Sequence, residues 1–399
     1  MHPKKRICHL RIPILLILLR RLKNIAAMKF IPEIALKTIM KYAIHSFIYI
    51  ALLFSTSSFA NSDAKAEGKS EKFNAGELII DHISDSHEWH IAGDLVMPLP
   101  VIVYSSKKGL SVFSSSHLEH GEVYEGLALR ENHVVAVNPD GKENEEATAA
   151  LWDISITKNT ATILFSVFLM CFVFISVAKS YSKRPDMAPK GLQSWVEPLI
   201  VFVRDDVAKP SIGEKKYARY MPYLLTIFFF ILFCNLLGLI PFMPGGSNVT
   251  GNIAVTMTLA VFTFIITSVS GNKHYWKHIV AMPGVPGWVL FLLTPIEILG
   301  VFLRPFVLMI RLFANILAGH IIALSFFCLI FIFAEMNKGV GYSVSVVSIA
   351  FTVFMGFLEL LVAFLQAYVF TLLSAIYFGA AVEEAHHPPH PDTEQQGLI

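Results

Sequence analysis

The sequence predicts an all-α polytopic membrane protein. Upright transmembrane helices come first, then two long inclined membrane helices, with a small N-terminal extramembrane domain that carries short β-strands. Three observations predict this. The chain of 399 residues is 54% hydrophobic and 16% charged, with 32 Phe, an apolar excess typical of integral membrane proteins. Between residues 224 and 272 there is no Asp, Glu, Lys or Arg. The apolar runs at 289–333 and 344–382 are too long for one upright crossing, since about 45 residues of helix span about 67 Å, roughly twice the hydrocarbon thickness.

The formal net charge is only +2, so no nucleic-acid partner is indicated. Cys8, Cys171, Cys234 and Cys328 are irregularly spaced, which fits packing residues rather than a disulfide framework or a zinc site.

Residues 1–39 alternate basic and apolar stretches and read as a leader or an extension upstream of a start at Met28 or Met40. From Met40 a short apolar run ends in Ser58-Phe59-Ala60, the small-x-small form of a signal-peptidase site. Residues 40–60 are therefore expected to be a signal peptide, the alternative being an uncleaved first helix.

Residues 61–157 are polar and form the expected extramembrane, periplasmic domain. Leu99 to Tyr104 and Leu110 to Phe113 predict strands, with Lys107-Lys108-Gly109 as a turn between them. His82, His87, His90, His117, His120 and His133 have no common metal-ligand spacing and are expected to be solvated loop histidines.

The membrane domain is expected at 158–382. Residues 159–178 make a first crossing. Lys183, Arg184, Lys190, Arg204, Lys209, Lys215 and Lys216 follow, which places this loop in the cytoplasm by the positive-inside rule. Inside it, Trp195, Leu199, Phe202 and Val203 recur at helical spacing, as in an amphipathic helix on a membrane surface. Crossings at 223–241 and 251–270 flank an external turn, Pro241-Phe242-Met243-Pro244-Gly245-Gly246. Asn235, Asn252 and Thr256 are the polar groups available near the outer surface, either as interhelical hydrogen bonds or as the lining of a water-filled entrance. Lys273, His274, Lys277 and His278 mark a return to the cytoplasm.

The run at 289–333 contains Pro295 and Pro305. It is either two crossings or one strongly inclined helix. At its centre stands Arg311, too deep for its side chain to reach water easily. Such an arginine costs at least ~2.5 kcal/mol on insertion scales, and a guanidinium does not escape by losing its proton. Asn315 lies one turn on, Ala318 and Gly319 two turns on, all on the Arg311 face. A charged, polar, then small face suits presentation to a partner helix; the alternative is a structural arginine paired with a carboxylate. The run at 344–382 holds Glu359, with Gln366 and Tyr377 close to the same stripe. From 383 onward the tail is short and polar.

Arg-Leu-Phe-Ala-Asn-Ile-Leu-Ala-Gly-His at 311–320 resembles the arginine signature of the ATP synthase a subunit, the stator part of the Fo proton channel. Asn-Leu-Leu-Gly-Leu-Ile-Pro and Thr-Gly-Asn-Ile-Ala-Val-Thr resemble the same family's motifs around its external turn. The resemblance covers roughly 152–384. It implies long, nearly horizontal helices curved along a c-subunit ring, a C-terminal tail in the cytoplasm, and two proton half-channels kept apart by Arg311. It implies proton-route roles for Glu297, His320, Glu359, Gln366 and Asn315, with Tyr377 as a further lining candidate. It also implies peripheral-stalk b subunits and the rest of ATP synthase as partners, a bacterial inner membrane location, and no cofactor or metal. Some members carry an acidic residue where His320 stands and a histidine where Glu359 stands. The exchange preserves a Glu-His contact between two helices, either as a coupled proton pair or as a bond that fixes helix register.

Two rival classes find little support. A secondary transporter should show internal repeats and a midplane substrate site. An intramembrane hydrolase should show a Ser-His or paired-Asp arrangement, and no G-x-S-x-G occurs. No G-x-x-x-x-G-K-[ST] loop occurs either, so the chain is not expected to be an enzyme by itself.

Overall fold

The computed structural model describes residues 74–92, 95–105, 109–130, 132–138, 140–183, 188–240, 245–280, 282 and 285–383. The leader, the signal-peptide reading, Lys107 and Lys108 of the first turn, 241–244 of the external turn, and the tail beyond 383 lie outside them.

The described chain begins with helix α1 (Ala75–Ile83), N-capped by Asn74. Strands β1 (Glu88–Ala92) and β2 (Leu95–Pro98) form a hairpin. Strands β3 (Pro100–Ser105) and β4 (Gly109–Ser114) pair antiparallel from Pro100↔Ser114 to Ser105↔Gly109, as the alternating sequence predicts. Strands β5 (Leu127–Arg130) and β6 (His133–Ala136) make another hairpin, helix α2 spans Glu145–Ala149, and β7 (Leu151–Asp153) adds to the free edge of β3. Val101 and Val103 point inward from β3, because successive strand residues face opposite sides, and pack with Leu118, Leu127 and Val134.

Not all histidines here are solvated. His87 is 3% exposed, and neither ring nitrogen has a hydrogen-bond partner among the described residues. Its position in the turn that carries the chain from α1 into β1 puts it under the β7 end, with Nε2 3.9 Å from Asp153. Burial lowers its pKa from the usual histidine value, opposed by the charges of Asp153 and Asp85 and reinforced by His133.

Among the described residues, five helices are long and apolar enough to cross a membrane. The first is α3 (Lys158–Lys183). Beyond it come α4 (Leu192–Phe202), a π-helical segment (Val203–Ala208) and the short α5 (Lys209–Ile212). On α4 Trp195 is 67% exposed, while Val196, Val203 and Val207 join the membrane-domain core. The wider π turn changes the angular step between Phe202 and Lys209. Asp205 bridges Arg204 (2.8 Å) and Lys209 (2.7 Å). Hydrogen bonds from these two cations hold its carboxyl well below the usual carboxylate range.

Helix α6 (Tyr217–Gly238) is the most enclosed span, burying Leu224, Ile227, Phe228, Phe229 and Ile231. Helix α7 (Ile253–Ser270) turns Thr256, Ala260, Thr263 and Thr267 inward, a small-residue face that lets neighbouring helices approach closely. The short α8 (Lys273–Val280) follows.

Helix α9 (Gly287–Met336) is one continuous helix of 50 residues, and α10 (Lys338–Val382) one of 45. The two-crossing alternative for 289–333 is excluded. Each proline removes one backbone bond, but bilayer surroundings offer freed carbonyls no water, so flanking turns stay helical. At 1.5 Å per residue α9 is about 75 Å long, which requires inclination within roughly 30 Å of hydrocarbon.

The two helices lie antiparallel, joined through Asn337, whose extended backbone ends α9 and whose side chain accepts from Gly339 N. Phe326 stacks on Phe351 at 5.1 Å. A Cβ on Gly319 would stand 3.0 Å from Glu359 Oε1, and one on Gly341 would stand 2.7 Å from Ala334 Cα. Residue pairs in contact therefore keep a nearly constant sum of numbers, which fixes the register.

Two predictions arise here. A Cβ on Gly379 would overlap the carbonyl oxygen of Ser211, which backbone geometry prevents from swinging aside. Gly379→Ala should cost about 1–3 kcal/mol of stability, as overpacking does, and so lower the thermal midpoint of the detergent-solubilised protein; an unchanged midpoint overturns that close approach. His87 binds its proton more weakly folded than unfolded. The unfolded chain then holds more protons, so this stability is present above about pH 6.5 and is lost as pH falls toward the folded pKa. Near-ultraviolet dichroism should show the small domain melting earlier as pH drops below 6.5, with His87→Gln flattening that dependence; parallel pH profiles would exclude His87 as the source.

Candidate functional site

Arg311 lies on the face of α9 turned away from the rest of the chain and is exposed, as are Ala314, Asn315, Ala318, Ile322 and Ser325. Their spacing of three and four makes one stripe. Among the described residues Arg311 forms no ion pair or hydrogen bond, so a paired structural arginine is not what the fold builds. The α9–α10 register puts Gln366 level with Arg311, since 311 and 366 sum to 677 as do the stacked Phe326 and Phe351. Gln366 is buried, and no hydrogen bond joins it to Arg311 among the described residues.

Polar groups gather on both sides of this level. Toward the small domain, Asn235 on α6 donates to Ala363 O of α10 (3.2 Å) and accepts from Thr250 Oγ1 (2.6 Å). Ser247 donates to Thr162 of α3 at 2.6 Å, and Thr162 in turn donates to Lys158 O at 2.9 Å. Asn235, Ser247, Thr250 and Thr162 are all buried. His320, nine residues or about 13 Å beyond Arg311 along α9, directs Nε2 toward Gly238, where a Cβ would stand 3.9 Å from it. Glu359 rests against Gly319, and its Oε1 is buried without a partner among the described residues.

His320 and Glu359 share a level, yet no hydrogen bond or ion pair joins them among the described residues. Consecutive helical positions are turned 100° apart. Gly319 faces α10, so His320 faces α6. Asn252 and Thr256 have local roles. Asn252 N-caps α7, accepting from Ala254 N at 2.9 Å, and the buried Thr256 bonds the carbonyls of Asn252 (3.3 Å) and Ile253 (3.1 Å).

On the other side of Arg311, Arg304 sits 5.8 Å above the Tyr377 ring and lines the same small cavity as the buried Tyr275 of α8. Burial raises the Tyr275 pKa, opposed by the positive charge of Arg304 and reinforced by Glu297. A small cavity lies among Thr263, Thr267, Tyr275, Arg304 and Tyr377, with about 10 Å³ open to the centre of a water molecule, space for one. Tyr223 meets Thr263 at 2.8 Å beside it. Arg304 escaped the sequence reading of the site, although Glu297, Arg304 and Arg311 recur every seven residues and share a face.

The site is thus a lone exposed guanidinium between two separate polar zones. Among the described residues, no cluster of His, Cys, Asp and Glu could hold a metal ion. Gly319 is the small residue on which the Glu359 carboxyl depends. Gly319→Ala should cost little, because a carboxyl can give a few tenths of an ångström, whereas Gly319→Leu should force α9 and α10 apart at about 1–3 kcal/mol. Thermal midpoints in detergent check this, and a Leu variant as stable as the parent overturns the packing.

Comparison with known proteins identifies the frame. The family described as ATP synthase A chain matches residues 160–379. A domain of unknown function, DUF8433, matches 78–154. ATP synthase subunit a 2 of Chlorobaculum tepidum is 45% identical over 273 residues, covering 67% of this chain and 74% of that protein. ATP synthase subunit a of Chloroherpeton thalassium is 43% identical over 242 residues, covering 59% and 69%. That of Myxococcus xanthus is also 43% identical over 242 residues, covering 59% and 75%. With its arginine helix, its five long apolar helices and a family match across the whole membrane region, the chain belongs to the ATP synthase A chain family, subunit a of the F-type ATP synthase.

Proposed function

We propose that the chain forms two proton half-channels against a ring of c subunits and couples proton flow to rotation of that ring. The observation that carries this reading is the position of Arg311, exposed on an unpartnered helix face between two polar zones that do not meet. A rotor carboxyl reaching Arg311 is favoured as the carboxylate, because an opposite charge stabilises the ionised form. It therefore gives up its proton there. Further rotation into lipid is favoured only after it takes up another proton, since a bare charge is costly in hydrocarbon.

Water, His320, Glu359 and the polar ends of α3, α6 and α7 serve the half-channel next to the small domain. Glu297, Arg304, Tyr275 and Tyr377 surround the other. His and Glu can exchange protons near neutral pH when burial tunes them. Arg311 does not relay protons, so it separates the two routes. Asn315 extends its polar face, and Gln366 packs at its level. Nucleotide chemistry belongs to other subunits, so this chain is not itself an enzyme.

The basic connection after α3 and the basic α8 support a cytoplasmic location for that end. By the same rule the small domain is periplasmic, consistent with a signal peptide at 40–60, and the C-terminus is cytoplasmic. The complex then sits in a bacterial inner membrane, with b subunits of a peripheral stalk as further partners on the cytoplasmic side.

The test is ATP-driven proton pumping in inverted vesicles carrying Arg311→Ala, beside passive proton leak through the same vesicles. Lost pumping by an assembled complex, with increased leak, is the expected result. Normal coupled pumping overturns the reading.

A further inference from the structure

The small domain is seated on the polar end of the membrane helices rather than hung from them. Lys158 Nζ of α3 donates to His82 O (3.1 Å), Lys158 N donates to Ser86 O (2.9 Å), and Trp89 Nε1 donates to Gly245 O of the external turn (2.9 Å). Within this seat lies Asp85. Its Oδ1 accepts from Asn159 N, in the first turn of α3, at 3.1 Å and from Ser86 N at 3.0 Å. Asp85 is half-buried and keeps contact with the water around the small domain, whereas Asn159 is 4% exposed. The carboxyl thus stands between that water and the buried polar face of α3. Along this face Asn159, Thr162 and Ser166 recur at spacings of three and four, all buried. Thr162 meets Ser247 Oγ at 2.6 Å. A Cβ on Gly238 would stand 3.0 Å from Ser247 O and 3.9 Å from His320 Nε2, so Ser247 and His320 border the same glycine of α6. Two side-chain atoms on this line, Asn159 Oδ1 and, beside Ser247, Asn248 Nδ2, are buried without a hydrogen-bond partner among the described residues. Buried polar atoms that the protein does not pair are satisfied by water, and a hydrated line of hydroxyls and amides is what proton passage needs.

We propose that Asp85 is the proton-collecting carboxylate of the half-channel next to the small domain, passing protons along the Asn159–Thr162–Ser247 line to His320. A hydronium ion gives a proton to the Asp85 carboxylate, which forms an O–H bond and leaves a water molecule. That O–H bond then breaks and its electron pair stays on the carboxylate oxygen. The proton moves through water to the lone pair of a neutral ring nitrogen of His320, where an N–H bond forms. A carboxylate suits this task because its charge draws hydronium toward the mouth of the route. Its titratable neighbours at the junction are otherwise placed. Lys158 has its ammonium on His82 O, and His87 is buried beside Asp153, with Nε2 3.9 Å from the Asp153 carboxyl. Asp85 belongs to the small domain, which thereby takes part in proton uptake.

This proposal rests on the half-channel reading of His320. Its test uses the whole ATP synthase reconstituted in liposomes, with ATP synthesis driven by an acid–base jump and the pH on the small-domain side varied. Asp85→Asn keeps an oxygen for Asn159 N and Ser86 N but carries no exchangeable acid proton, whereas Asp85→Glu keeps the carboxyl. The expected result for Asp85→Asn is a proton flux lower by roughly tenfold or more, with a deficit that shrinks as that pH is lowered and hydronium becomes abundant. Asp85→Glu should retain most of the flux. Asp140→Asn, which neutralises an exposed carboxylate in the turn after β6, should leave flux unchanged. Undiminished flux in Asp85→Asn overturns the proposal. So does a deficit that is the same at every pH, or one that Asp85→Glu shares in full, since either leaves Asp85 only a cap on α3. Failure of the half-channel reading shows separately, as coupled pumping retained by Arg311→Ala in the same liposomes.

Discussion

A guanidinium keeps its charge in apolar surroundings, and the fold is arranged around one that it does not neutralise. Other carboxylates lie near the spans, yet among the described residues none is brought to Arg311. Glu297 is about 21 Å away along α9, and Glu359 is held against Gly319 on the other side of the Arg311 level. On the same face of α9 the charged residue nearest Arg311 is Arg304, seven residues away and of like sign, so the helix itself offers Arg311 no ion pair. The charge is instead left on the outer face, where nothing among the described residues compensates it. That supports the assignment of a carboxyl-bearing partner to this face.

Holding such a charge at one depth requires rigid register, and the register is set by very little. One extended residue, Asn337, joins helices of 50 and 45 residues. From there every level is fixed by close contacts of small residues, Gly341 with Ala334 and Gly319 with Glu359. Further along, Arg304 meets Tyr377, and Asn272 N donates to Ala381 O at 2.9 Å. A single residue inserted into α10 would turn everything beyond it by 100° and shift it by about 1.5 Å. Glu359, Gln366 and Tyr377 would then change partners together. The inner threonine face of α7 serves the same end, letting α9 and α10 lie close without voids.

How much of this was legible in the sequence depends on the kind of signal. Run lengths gave the first three spans and excluded a single upright helix for each of the last two runs, because hydrocarbon thickness is a fixed ruler, but left open whether 289–333 crosses twice or lies inclined. Periodicity gave the Arg311–Asn315–Ala318 face, since it needs only the helical repeat. The same repeat should have drawn attention to Arg304, midway between Glu297 and Arg311, but a charge near prolines reads as an interruption. Periodicity could not decide whether His320 meets Glu359, because that depends on which neighbour each face of α9 receives. Nor could composition show that Asn252 caps a helix while Asn235 bridges three segments, since both are asparagines near one turn. His87 was read as solvated because a polar domain hides its few enclosed positions.

The junction between the two matched regions carries a further consequence. An appended domain is usually joined by an exposed linker that few contacts cross. Here β7 runs almost directly into α3. Ile154 N and Ile156 N still donate to Ile102 O and Pro100 O of β3, and Lys158 N donates back to Ser86 O. The first turn of α3 is thus held by the small domain and the membrane domain at once. Asn235, Thr250, Ser247 and Thr162 make a hydrogen-bonded layer just beneath it. Loosening the small domain would leave the upper end of α3 without the backbone bonds that start it. The end of α3 and the polar layer beneath it are thus covered by a surface built partly by residues 82–89.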